Sequence, residues 1–87
     1  MYKDAAMETL ITRTIRSAMA QEGMTYSDLC DALAKNGIVQ SESTLRSKVN
    51  NGTMAASLFI HVMNSTNANT IDLAKLMERY RSIREDN

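Results

Sequence analysis

The sequence predicts an all-α fold, a compact five-helix domain in which the second and third helices form a helix-turn-helix. Three observations carry this. There is no proline in 87 residues. No stretch alternates apolar and polar β-branched residues long enough to read as a strand. Apolar residues instead recur at three- and four-residue spacing, in segments separated by Gly23, Asn36-Gly37 and Asn51-Gly52, residue types that accept the left-handed conformation at a helix end.

The first helix is expected from about Asp4 to Gln21. Met7, Leu10, Ile11, Ile15, Ala18 and Met19 form its apolar stripe, and Lys3, Glu8, Arg13 and Arg16 lie largely off it. Asp4 and Glu8 sit near the positive end of the helix dipole, and Gly23 ends the segment. The second helix opens at Thr25, with Asp28 three residues on, the spacing of a capping box. Leu29 and Leu33 share one face with Cys30 beside them, and Asn36-Gly37 closes the helix. The third helix starts at Ser41 or Ser43, buries Leu45 and Val49, and stops at Asn50, Asn51 and Gly52. Thr53 is expected to cap a fourth, mostly buried helix containing Leu58, Phe59, Val62 and Met63. Within it His61 reads as a partly exposed helix residue, with no acid or cysteine near it in sequence.

Asn64 to Asn69 reads as a polar connector. The last helix is expected from near Asn69 or Thr70 to about Arg84, with Asp72 in its first turn. Arg79, Arg81 and Arg84 crowd its C-terminal half, where cations favour the negative end of the dipole. Its stripe of Leu73, Leu76, Met77, Tyr80 and Ile83 has two readings. It packs on the domain's own core, or it forms the interface of a homodimer, and the homodimer with this helix in its interface is the expectation.

A chain of this length makes one domain, residues 1–87, too small to carry a substrate domain beside the helical one. Tyr2, Tyr26, Phe59 and Tyr80 are the only aromatics, so the core is built from Leu, Ile, Val, Ala and some of the seven methionines. Cys30 stands alone and excludes an intrachain disulfide and a cysteine-paired metal site. No metal-ligand set, glycine-rich phosphate loop or catalytic motif is present, so neither enzyme activity nor a cofactor is expected. No apolar run approaches the ~20 residues that span a bilayer, and no basic head precedes a hydrophobic segment. A cytoplasmic protein without a membrane partner is the expectation. Asn51-Gly52-Thr53 and Asn64-Ser65-Thr66 fit a glycosylation acceptor pattern that has little meaning in that setting.

The order of helices, with the second and third as a reader unit ending in Asn51-Gly52 before a fourth, resembles the lambda-repressor-like family of phage repressor and Cro type. TYSDLCDALAKNGI followed by ESTLRSKVNNGTMAASLFIHVM is similar, more closely, to a small bacterial domain family of unknown function sharing this helix-turn-helix. The likeness spans roughly Leu10 to Met63 and rests on Gly23, Thr25-Tyr26, Leu29, Leu33, Gly37-Ile38, Thr44-Leu45, Lys48, Gly52 and Phe59. The chain departs from the phage-repressor pattern between Leu29 and Leu45, which are farther apart than there and imply a lengthened connection. A small residue is common in that family where Cys30 stands, which favours a packed side chain over a redox role.

The resemblance implies a bacterial or phage transcriptional regulator that binds double-stranded DNA as a dimer, its two third helices entering successive major grooves about 34 Å apart. At the matching positions Arg46 suits guanine O6 and N7, Asn50 suits adenine or a phosphate, and Glu42 accepts from a cytosine amine or helps start the helix. Ser41, Ser43 and Thr44 suit a phosphate at the helix N-terminus, and Lys48 and Thr53 suit backbone clamps. Gln40 and Ser47 complete the expected DNA-binding set. The net charge of zero argues the other way, because phosphate neutralisation drives such binding. Only Lys35, Arg46 and Lys48 are basic between Ala18 and Ala74. A protein-interaction module on the same scaffold, of the phage-inhibitor or antitoxin kind, is the alternative.

Overall fold

A computed structural model describes residues 2–68 and 70–86. Among them are five helices and no strand: α1 Ala5–Gln21, α2 Tyr26–Lys35, α3 Glu42–Asn51, α4 Ala56–Ser65 and α5 Leu73–Asp86.

Side-chain caps explain where the first three helices begin. The Asp4 carboxylate accepts from the Met7 N–H at 3.1 Å, so Asp4 stands just outside α1 as its cap. Thr25 Oγ1 accepts from the Asp28 N–H at 3.1 Å, and Asp28 Oδ2 accepts from the Thr25 N–H at 2.9 Å. This reciprocal pair satisfies two donors that the first turn of α2 leaves open. Ser41 Oγ accepts from the Thr44 N–H at 3.1 Å, which settles the start of α3 on Ser41 rather than Ser43.

Gly52, at φ 66°, ends α3. Its N–H returns to the Val49 carbonyl at 3.1 Å and that of Thr53 to Lys48 at 3.3 Å. Thr53 therefore belongs to the end of α3 and does not cap α4, contrary to the expectation. Ala55 takes that position without a side-chain hydrogen bond. The expected connector from Asn64 is also shortened, because Asn64 and Ser65 are helical and the fully buried Thr66 closes α4 by donating its hydroxyl to the Met63 carbonyl at 2.7 Å. The expected α5 start at Asn69 lies outside the described residues. Thr70 and Asp72 precede the helix, and Asp72 accepts from the Lys75 N–H at 3.1 Å, acting as a cap instead of a first-turn residue.

The apolar side chains fall into two clusters. The larger joins Ile15 and Met19 of α1, Leu29 and Leu33 of α2, Leu45 and Val49 of α3, and Val62 and Met63 of α4. The smaller joins Ala6 and Leu10 of α1 to Ile83 of α5, with Met7, Leu76 and Tyr80 beside them. The α1 stripe is thus shared between the two. α4 is less covered than expected: Leu58 and Phe59 are half-buried, His61 is exposed and Ile60 is 55% exposed. α1 is the central strut, packing on α3, α4 and α5, while α2 packs on α3 and α4. Tyr80 adds a polar tie by donating its hydroxyl to Asp4 Oδ2 at 2.6 Å.

Candidate functional site

α3 is held by its inner side and offers the rest to solvent. Leu45 and Val49 are fully buried, and Thr12 of α1 donates its hydroxyl to the Val49 carbonyl at 2.6 Å. At the end of the helix Gly52 lies against the α1 backbone so closely that a Cβ there would stand 2.0 Å from the Glu8 carbonyl oxygen. No other residue fits that contact. The orientation of α3 on α1 is set by backbone, and its outward side chains inherit that fixity.

Of the residues expected to bind DNA, Ser41, Glu42, Ser43, Thr44, Arg46, Ser47, Asn50 and Thr53 are exposed, and Gln40 and Lys48 are half-buried. They do not form one site. Ser41 and Thr44 are engaged with each other, the Ser41 hydroxyl donating to Thr44 Oγ1 at 2.7 Å while accepting the Thr44 N–H. That backbone donor is not free for a phosphate. Lys48 Nζ donates to Gln40 Oε1 at 3.4 Å, which draws these two together. Thr53 stands at the opposite end of α3 from Ser41.

Arg46 and Asn50, one turn apart, do converge with two residues that sequence reasoning did not select. The Arg46 guanidinium lies 5.1 Å from the centroid of the Tyr26 ring and donates to Glu42 Oε1 at 2.9 Å. Asn50 Oδ1 accepts from the Arg16 guanidinium of α1 and from the Tyr26 hydroxyl, the latter at 3.5 Å. With its oxygen held this way, the Asn50 amide points its NH₂ donors elsewhere. Arg16, Tyr26, Arg46 and Asn50 line an open groove of about 420 Å³ floored by Met19, Ala20 and Met24. Two guanidiniums, an aromatic face and an amide around one groove can bind an anion or the edge and face of a planar base. Arg16 and Tyr26 lie 34 and 24 positions from Asn50, too far for any local signal. The available hint was that Arg16 falls off the apolar stripe of its helix.

Cys30 packs against the main core, and burial first, then the nearby Glu42 and Asp31 carboxylates, push its thiol above the usual range. It is a neutral packed side chain. Among the described residues no group of three or more His, Cys, Asp or Glu side chains could hold a metal ion, and no helix is long and apolar enough to cross a membrane.

On α5, Ile83 is buried, and Leu76 and Tyr80 pack beside it on α1. Of the expected dimer stripe, Ile83 is thus buried within the chain's own packing, and Leu76 and Tyr80 are partly buried beside it. Met77 is half-buried, and Leu73 is 69% exposed.

A family model described as "Domain of unknown function (DUF6471)" matches residues 7–71. The chain belongs to this family. The matched span takes in α2, α3, α4 and most of α1, so the groove lies wholly inside it and α5 outside. No curated protein and no solved structure matches the chain.

Proposed function

We propose that this chain is a sequence-specific DNA-binding transcriptional regulator, in which α2 and α3 act as a helix-turn-helix of lambda-repressor-like type and α3 enters the major groove. The observation that carries the reading is the groove of Arg16, Tyr26, Arg46 and Asn50 on the exposed side of a rigidly seated helix. Arg46 supplies the fork that pairs with guanine, Asn50 supplies amide donors beside it, and Arg16 supplies charge from α1.

Glu42 does not block this use. The Arg46–Glu42 pair is exposed, with about half of each side chain open to solvent. Such a pair stabilises by about 0.2–1 kcal/mol, less than the about 1–3 kcal/mol by which a bidentate guanine contact discriminates. Arg46 exchanges one carboxylate for the stronger partner. The zero net charge calls for two copies, since a second set of contacts doubles the counterions released. Leu73 and Met77 are the residues of the α5 stripe left for that contact.

The test is selection of binding sites from a random duplex pool by the full chain, followed by fluorescence anisotropy of the enriched duplex with Arg46→Ala alongside. Loss of about 1–3 kcal/mol, roughly 5- to 150-fold in Kd, together with relaxed preference at one base pair, is expected. A pool that yields no enriched sequence would overturn the proposal. It would favour the protein-interaction reading, which the exposed Val39 (85%) and Ile60 (55%) also suit.

A further inference from the structure

One flank of α1 contributes to neither apolar cluster, and it carries charge of a single sign. The side of α1 that meets α3 is marked by Glu8 against Gly52, by Thr12 bonded to Val49, and by Met19. The side that meets α5 is marked by Ala6 and Leu10. With 3.6 residues per turn these sides lie about 180° apart. Ile11 and Ala18, packed on the main core, fill one flank between them. The other holds Ala5, Thr9, Arg13, Arg16 and Ala20, with no acidic residue among them.

Arg16 leads from this flank to the groove with Arg46. Arg13, one turn earlier, leads the opposite way, to a pocket of about 160 Å³ on the α1–α5 seam lined by Arg13, Arg79, Thr14, Ser82, Leu10 and Ile83. The strip therefore runs Arg46, Arg16, Arg13, Arg79 across three helices. Arg46–Glu42 is the one ion pair among the described residues, so Arg13, Arg16 and Arg79 meet no carboxylate there. The Thr14 hydroxyl donates to the Leu10 carbonyl at 2.7 Å, and Ser82 makes no side-chain hydrogen bond among the described residues, which leaves its O–H available. Two guanidiniums and a free hydroxyl around a pocket several times the ~30 Å³ share of one liquid water suit a tetrahedral oxyanion.

We propose that Arg13 and Arg79 form a phosphate seat at the far end of this strip, which takes a DNA backbone phosphate while α3 occupies the groove. This rests on the DNA-binding reading above and extends its footprint beyond the residues that reading uses. The seat carries no sequence information. It adds affinity and salt dependence, and it draws α5, outside the family-matched span, into the interface.

The test compares the full chain with Arg13→Gln/Arg79→Gln on duplex DNA over about 50 to 200 mM salt, with a second titration of inorganic phosphate followed through the arginine Nε–H resonances. Each phosphate contact contributes about 0.9 to the slope of log K against log salt, so losing two lowers the slope by about 1.8. Over a fourfold change of salt the wild type then loses roughly twelvefold more affinity than the variant. Sequence preference and melting temperature stay unchanged, because both side chains are exposed. An unaltered slope with DNA bound by both proteins overturns the seat and leaves the DNA reading standing. If the wild type binds no DNA, that reading falls and phosphate decides. Saturable shifts at Arg13 and Arg79, lost in the variant, keep the seat for a small phosphate oxyanion, and their absence overturns it.

Discussion

Replacing Gly52 with alanine tests the claim that α3 is oriented by backbone contact with α1. The added Cβ would lie 2.0 Å from the Glu8 carbonyl oxygen and 2.6 and 2.7 Å from its carbonyl carbon and Cα. All three are main-chain atoms that no rotamer change moves. Ordinary contact begins at 3.4 Å, so the end of α3 must retreat by about 1.4 Å from the 2.0 Å approach. The 2.6 Å bond from Thr12 to Val49 does not survive that shift, a loss of about 1 kcal/mol. Loosened packing around the fully buried Val49 adds about 1–3 kcal/mol, and the left-handed backbone adds about 1–2 kcal/mol. The sum is roughly 3–6 kcal/mol, against a typical total of about 5–15 kcal/mol. At about 4 °C or more per kcal/mol, the melting temperature falls by roughly 12 °C or more.

Gly37→Ala is the internal control. Gly37 has φ 78°, but nothing lies within 4 Å of where its Cβ would be. That variant bears the backbone penalty alone, about 1–2 kcal/mol. Thermal melts followed by circular dichroism separate the two. If Gly52→Ala melts no lower than Gly37→Ala, the contact does not set α3, and the fixity claimed for Arg46 and Asn50 goes with it.

Two further perturbations address the helix starts. The Asp4 carboxyl is held below the usual carboxylate range, first by the Tyr80 hydroxyl and then by the Met7 N–H. A value depressed on folding contributes stability that is complete above the ordinary range and is lost as the pH falls through the lowered value. Asp4→Asn, which can still cap α1, should therefore melt below the wild type at pH 7, with the gap closing as the pH falls below about 4. A gap that persists in acid would assign the effect to packing rather than to charge. Thr25→Ala removes one half of the capping box and should destabilise by about 0.5–2 kcal/mol in urea unfolding. An unchanged midpoint would mean that water replaces the Thr25 hydroxyl at no cost.

The local signals in the sequence were sufficient where one helix turn decides the outcome. Asp28 after Thr25 marked the start of α2, and Gly52 marked the end of α3. They were insufficient where a residue is claimed by something distant or by the preceding element. Thr53 has the right chemistry for a cap, but its N–H is already taken by Lys48 at the close of α3. Asn64 and Ser65 have loop propensities, yet they continue α4 to the buried Thr66, whose hydroxyl closes the helix on the Met63 carbonyl. For the groove, Arg46 and Asn50 were legible because they fall one turn apart on a helix whose buried positions are Leu45 and Val49. Arg16 and Tyr26 were not, since only the packing of α1 and α2 around α3 brings them there. The apolar stripe of α5 was legible as a stripe, but its periodicity carries no information on whether α1 or a second chain covers it.

The separation of the two apolar clusters bears on how the molecule comes apart. Among the described residues α5 packs on no helix but α1, through a cluster of three buried side chains and the Tyr80–Asp4 bond. A helix attached this way can open without exposing Leu29, Leu45 or Val62, so the amides of α5 exchange with solvent at a lower free energy than those of the four-helix unit. The pocket of Arg13 and Arg79 exists only while α5 is closed. An anion seated there stabilises the closed form by mass action, so occupancy of the surface strip becomes readable as slowed exchange along α5.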